Sequence, residues 1–184
     1  DSVIIAISDQ NYNILHPDLE GKYVHYDANN NLTTTHGTAV AITAAGKTDN
    51  AHGLSSIGFN VSLALYKMNY NEILAASYAG CDIINISWSS GCFYSQIEQD
   101  IIDEVAANGS FIVASAGNGF TCGSPDALVY PAAYRNVFSV SSVGDVNNHE
   151  QWIGDPSSTH QHNDSVDLCA PGYGVAISPA PNWF

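Results

Sequence analysis

Three side chains in this sequence have the types that proton transfer at a carbonyl draws on: the carboxylate of Asp9, the imidazole of His36 and the primary amide of Asn118. An imidazole moves a proton near neutral pH, a carboxylate carries a fixed negative charge, and an amide donates hydrogen bonds without titrating. Taken singly, each has a plainer use. A carboxylate after a strand caps a turn, a histidine at a helix start serves as a polar cap, and Asn after Gly is ordinary turn chemistry. What would join the three is the fold.

Asp9 follows the apolar run "VIIAIS" (3–8), His36 opens the small-residue run "HGTAVAITAAG" (36–46), and Asn118 closes "SFIVASAGN" (110–118). The first and last read as buried strands and the second as a buried helix. Between and beyond them come a strand at 61–68, a helix with a glycine stop at 70–80 and a strand at 81–88. A helix at 95–109 and strands at 136–144 and 165–172 complete the set. In the 95–109 helix Ile97, Ile101, Ile102, Val105 and Ala106 share one face and the acids take the other. The alternation predicts an α/β fold in three layers, with a mostly parallel sheet and helices on both faces. Reactive groups in such sheets gather beyond the carboxyl ends of the strands. Asp9, His36 and Asn118 are thereby expected on one edge.

At 184 residues the chain can bury one sizeable core, so one domain is expected. Eighteen Asp and Glu against four Lys and Arg give a formal charge of -14, a field that repels nucleic acid and anionic membrane surfaces. Bound calcium or cationic partners suit it better, although a solvated acidic surface is the simpler reading. No run of about 18 apolar residues is present to span a membrane. Asp1 leads almost directly into a strand with no signal-peptide pattern, which reads as an internal piece of a longer precursor.

In order, "IIAISDQNYNILHPDL", "HGTAVA", "INISW", "VASAGNG", "VYPAAYRNVFSVSSVG" and "VDLCAPG" resemble successive segments of the subtilisin-like serine proteases, the subtilase family, over nearly the whole chain. The resemblance implies a secreted, extracellular serine endopeptidase that acts on protein or peptide substrates and needs no cofactor for its chemistry. It makes His36 the general base, Asp9 its orienting partner and Asn118 an oxyanion donor. It lines the primary specificity pocket with Ser87, Trp88 and Ser89 on one side and Ser115, Ala116 and Gly117 on the other, with Val129 near the base. Trp88 is as readily turned into the core. Trp88 and Val129 add bulk without positive charge, so an uncharged small or medium apolar substrate residue is expected over a basic one. The chain departs from the family pattern after the aspartate, where Gln10 and Asn11 replace Ser or Thr and then Gly, and at Ala39, where a second histidine is common.

The family's nucleophile lies in a Gly-Thr-Ser motif some way after "APG", and no Gly-Thr-Ser occurs in this sequence. Residues 1–184 are therefore expected to be part of a peptidase domain, incomplete at the C-terminus and inactive without the segment that carries the serine. The alternative is a noncatalytic module of the same fold that binds peptides or a partner. Asp18 matches a position that helps hold calcium in some relatives, which makes a structural calcium ion possible without fixing its other ligands. His160 and His162 have a spacing that can bind metal on a strand. Cys92 and Cys122 lie just beyond two neighbouring substrate-region strands, whereas Cys81 and Cys169 fall within apolar strand sequences. A Cys92–Cys122 disulfide with Cys81 and Cys169 as buried thiols is expected, four reduced thiols being the alternative. The Asn-x-Ser/Thr sequons at Asn31, Asn60, Asn85, Asn108 and Asn163 are read as structural.

Overall fold

The computed structural model describes residues 3–26, 36–143 and 160–172. Its elements are β1 (Ile4–Asp9), β2 (Tyr23–Tyr26), α1 (His36–Ala45), β3 (Ser62–Lys67), α2 (Tyr70–Tyr78), β4 (Ile83–Ile86), α3 (Gln96–Ala107), β5 (Phe111–Ser115), β6 (Val137–Val143) and β7 (Leu168–Pro171), with a single 3-10 turn at Pro17–Leu19. The described residues form two compact units, one holding 3–26, 36–85 and 108–110, the other 86–107, 111–143 and 160–172. The strands run in the order β2-β3-β1-β4 in the first and β5-β6-β7 in the second. The pairings of β1 with β3, β2 with β3, β5 with β6 and β6 with β7 are all parallel. This is the α/β, mostly parallel architecture that the alternation of elements predicts.

In the first unit β1 and β3 pair in register from Ile4 opposite Ser62 to Asp9 opposite Lys67. Their inward residues Ile7, Leu63 and Leu65 form a core with Tyr12, Leu19, Ala41, Ile42 and Ala45. Helix α1 buries Gly37, Thr38, Ala39, Ala41, Ile42 and Ala45, so its small side chains let the helix lie close against the strands. Lys22 ties the approach to β3 down, its ammonium donating to the carbonyls of Phe59 at 2.8 Å and Val61 at 2.6 Å. Burial lowers the Lys22 pKa from its ordinary value.

Both ends of α2 are encoded locally. Asn69 Oδ1 accepts the Glu72 N–H at 3.0 Å, which satisfies a donor that the helix cannot. At the other end Gly80 takes φ +81, its N–H donates to Ser77 O and the Cys81 N–H donates to Ala76 O. That pair of bonds is the Schellman closure, and it depends on a residue that tolerates the left-handed region.

The second unit differs from the sequence reading in two side-chain placements. Ile97 does not join the buried face of α3; it is 75% exposed, and Gln99 is buried beside Ile102 and Val105 instead. The reason is hydrogen bonding. Gln99 Oε1 accepts the Arg135 backbone N–H and its Nε2 donates to the Arg135 carbonyl, each at 3.1 Å, so one amide closes both backbone groups of a turn that has no ladder partner. Cys81 is buried, but Cys169 is exposed rather than a buried thiol: Leu168 and Cys169 point to opposite faces of β7 and both are exposed, so neither face of the strand is well covered there. Strand β2 has no counterpart in the sequence reading. Its four residues "YVHY" carry no periodic apolar face, and the last three are exposed.

Replacing Asn69 by Ala should lower stability by about 1 kcal/mol through loss of the α2 cap. The check is a fall in the urea midpoint without a change in its slope.

Candidate active site

Strand β1 ends on Asp9, and α1 begins on His36. The Asp9 side chain is 1% exposed and that of His36 58% exposed. His36 Nδ1 lies 2.8 Å from Asp9 Oδ1 and 2.9 Å from Oδ2. A carboxylate can only accept here, so Nδ1 carries the proton, and in the neutral imidazole the lone pair is on Nε2. Asp9 Oδ1 also accepts the Gln10 backbone N–H at 2.7 Å. The hydrogen bond with Asp9 raises the His36 pKa above its ordinary 6.5, against the opposing effect of partial burial.

This pair is fixed from below. Gly37 follows the imidazole at a point where a Cβ would stand 2.5 Å from Asn11 O, 3.0 Å from Tyr12 Cε1 and 3.1 Å from Asp9 Cβ. The first turn of α1 therefore rests directly on the loop that leaves β1. Thr38 Oγ1 accepts the Asn13 N–H at 2.8 Å and pins the same loop. Tyr12 is fully buried, and its hydroxyl sits 2.6 Å from Ile7 O and 2.8 Å from Tyr66 O, between the ends of β1 and β3. Burial, and then the charge of Asp9, raise the Tyr12 pKa far above its usual value, so the hydroxyl keeps its proton as a donor. Neither Gly37 nor Tyr12 stands out in the sequence as a positioning group. A lone tyrosine in a polar loop gives little signal of burial.

The second unit holds Asn118 and the candidate pocket residues. Asn118 is exposed, three residues beyond the end of β5 rather than within it. Its backbone N–H donates to Thr121 Oγ1 at 3.2 Å, and its carbonyl accepts from Phe120 N at 2.9 Å. Gly117 before it has φ +115, and a Cβ there would meet Val129 Cγ2 at 3.2 Å. Val129 is buried directly beneath that glycine. Ser115 is exposed, Ala116 buried, Ser87 and Trp88 half-buried and Ser89 exposed. The segment that follows Ser89 joins Val129's neighbour: Ser90 N donates to Tyr130 O at 2.8 Å and Tyr130 N to Gly91 O at 3.0 Å. One residue further on, Cys92 is bonded to Cys122 with an S–S distance of 2.03 Å. Segments 87–92, 115–122 and 129–130 are thus linked by a backbone bridge, a disulfide and the packing of Gly117 on Val129.

Asp18 is buried with one oxygen accepting Asn50 Nδ2 at 2.8 Å and the other without a hydrogen-bond partner. Calcium takes six to eight oxygens, whereas Asn50 turns its nitrogen to the carboxylate and its oxygen to the His52 N–H. As arranged, Asn50 gives this carboxylate a donor rather than a further oxygen ligand. Among the described residues no group of three or more His, Cys, Asp or Glu could hold a metal. No helix among them is long and apolar enough to cross a membrane.

A family model described as the subtilase family matches residues 1–182. The chain belongs to the subtilase family. It is 31% identical over 195 residues to the thermophilic serine proteinase of Bacillus sp. strain AK1, covering 97% of this chain and 46% of that protein. It is 29% identical to thermitase of Thermoactinomyces vulgaris, covering 91% of this chain and 62% of thermitase. Among solved structures it is similar to a psychrophilic subtilisin-like protease from an Antarctic Pseudoalteromonas, with a TM-score of 0.72 at 24% identity over 95% of this chain and 42% of that one. It thus spans from under half to under two thirds of the length of these relatives.

The raised His36 pKa has a signed consequence. The stabilisation it brings is fully present below about 6.5 and is lost as pH rises through the higher folded value. In the Asp9→Asn variant the His36 midpoint should fall below that of the native protein, because the accepting charge is gone. Imidazole carbon-proton shifts followed by NMR across pH 4 to 9 check this, and an unchanged midpoint would contradict the assignment of Asp9 as the cause.

Proposed function

We propose that this chain is the part of a serine endopeptidase that supplies the general base, its orienting carboxylate, an oxyanion donor and the primary substrate pocket. The observation that carries the reading is the Asp9–His36 pair, with the carboxylate buried, the imidazole exposed and its Nδ1 turned to the carboxylate. The nucleophilic serine belongs to a segment outside these 184 residues. His36 Nε2 takes the hydroxyl proton as the serine attacks the peptide carbonyl, and returns it to the leaving amine. Asp9 holds the productive tautomer and stabilises the imidazolium that forms between the two steps. The Asn118 amide donates to the oxygen of the tetrahedral intermediate, where negative charge appears only in the course of reaction. No metal or cofactor enters this scheme.

Ser87, Trp88 and Ser89 form one wall of the proposed pocket, Ser115, Ala116 and Gly117 the other, with Val129 at the base. No cationic or anionic side chain stands among these seven residues, which favours an uncharged, small or medium apolar substrate residue. Secretion to an oxidising compartment agrees with the Cys92–Cys122 bond and with the acidic composition. A noncatalytic peptide-binding role would retain the pocket walls but would not need an imidazole poised on a buried carboxylate.

The full-length protein should be labelled by a fluorophosphonate and should hydrolyse peptides after uncharged residues in preference to Arg or Lys. His36→Ala should abolish labelling and reduce kcat by several orders of magnitude. Asn118→Leu should lower kcat by about 10²- to 10³-fold with KM nearly unchanged, the loss seen when subtilisin gives up its own donor. A correctly folded full-length protein that neither labels nor cleaves would favour the noncatalytic module.

A further inference from the structure

The two histidines of the "THQH" stretch go separate ways. His160 is buried against Ser142 Oγ, and His162 Nε2 lies 3.4 Å from Asp126 Oδ1. The residue between them carries more structure than either. Gln161 is 0% exposed, and nearly every polar group it has is committed. Its backbone N–H donates to Gly117 O at 3.2 Å. Its Nε2 donates to Ser124 O at 2.8 Å and also to Ala127 O. Its carbonyl accepts the Ser141 hydroxyl of β6. Two carbonyls facing one end of the amide require the NH₂ group there, which fixes the orientation of the side chain. Oε1 is thereby turned toward Gly117, 3.5 Å from where a Cβ would stand, and it has no hydrogen-bond partner.

We propose that Gln161 is a positioning residue of the proposed pocket, its buried side-chain amide holding the 124–129 segment, and with it Val129, in one arrangement. The proposal rests on the reading of Val129 given above. The side chain acts on Val129 through the Ala127 carbonyl, two residues away, whereas the bond to the Gly117 carbonyl comes from the Gln161 backbone N–H and survives replacement of the side chain. The Ser124 carbonyl also accepts the Ala127 N–H at 3.1 Å, while the Ala127 carbonyl takes its donors from the side chains of Gln161 and Asn163. The segment has other anchors, with His162 N donating to Pro125 O at 2.9 Å and Asn163 Nδ2 to Ala127 O at 2.8 Å. Loss of the Gln161 amide should therefore loosen the segment without unfolding it. The empty side of Gly117 adds a steric constraint, because any Cβ would press on Val129 while the turn requires positive φ.

The test is Gln161→Leu in the full-length protein, with Gln161→Met, which fills the same volume without donors, as the second variant should Leu not fold. Expected is a kcat/KM for the preferred apolar substrate lower by about tenfold, the equivalent of one buried hydrogen bond, carried mainly by KM. Selectivity between apolar and basic substrate residues should narrow. The limb of the kcat/KM pH profile set by His36 should not move. Backbone amide exchange across 124–129 should accelerate, a readout that needs no activity. Native kcat/KM, selectivity and exchange in a variant that merely melts earlier would overturn the proposal and leave Gln161 a core residue. A native protein that cleaves no peptide would overturn the protease reading and the pocket half of this proposal, while unchanged exchange in the Leu variant would overturn the clamp itself.

Discussion

A carboxylate buried at the end of a parallel strand is the constraint on which the first unit is organised. Asp9 is almost wholly removed from water, a position that is costly unless donors replace its hydration. The Gln10 N–H comes with the turn that leaves β1, but it covers only one side of one oxygen. The remaining donor is an imidazole N–H, and it arrives only if α1 starts at His36 and lies against the loop after β1. Gly37, Thr38 and Tyr12 follow from that requirement. The first lets the backbone approach, the second closes an N–H of the loop, and the third occupies the space beneath and meets two strand-end carbonyls. Removing any of them perturbs a charge, which is why packing and chemistry are not separable here.

The parts of the fold that were legible in the sequence are those written in a period or a cap. Long apolar runs gave β1, β3, β5 and β6, and the small-residue run after His36 gave α1 with its first residue in place. Gly80 marked the end of α2 because only the left-handed region closes that helix as observed. Asp9, His36 and Asn118 stand out in the sequence because each sits where an apolar or small-residue run begins or stops, and of the three the structure brings Asp9 and His36 into contact. What was not legible depends on pairing at a distance. Gln99 reads as part of a polar helix face until the turn at Arg135 is brought beside it, and Tyr12 reads as a loop residue until the carbonyls of Ile7 and Tyr66 flank it. Ile97 was misplaced for the same reason: an α-helical stripe drawn from apolarity alone cannot know that an amide will claim the buried position.

The two units hold their candidate groups by different physics. In the first, regular strands and a close-packed helix set Asp9 and His36, and apolar burial supplies the rigidity. In the second, Asn118 and Val129 lie beyond the strands, where backbone groups have no ladder. There the loops are held by polar and covalent links: Gln99 on Arg135, the Ser90–Gly91 bridge to Tyr130, the Cys92–Cys122 bond, and Gln161 on Gly117, Ser124 and Ala127. A buried amide is destabilising until all its bonds are made, so such a network holds one arrangement well and others poorly. The pocket wall we propose would benefit from that property more than from added apolar area, which would fill the space a substrate side chain must enter. In that proposal, small side chains at Ser115, Ala116 and Gly117 would keep the space open, and the polar links around them would supply the definition that their own packing cannot.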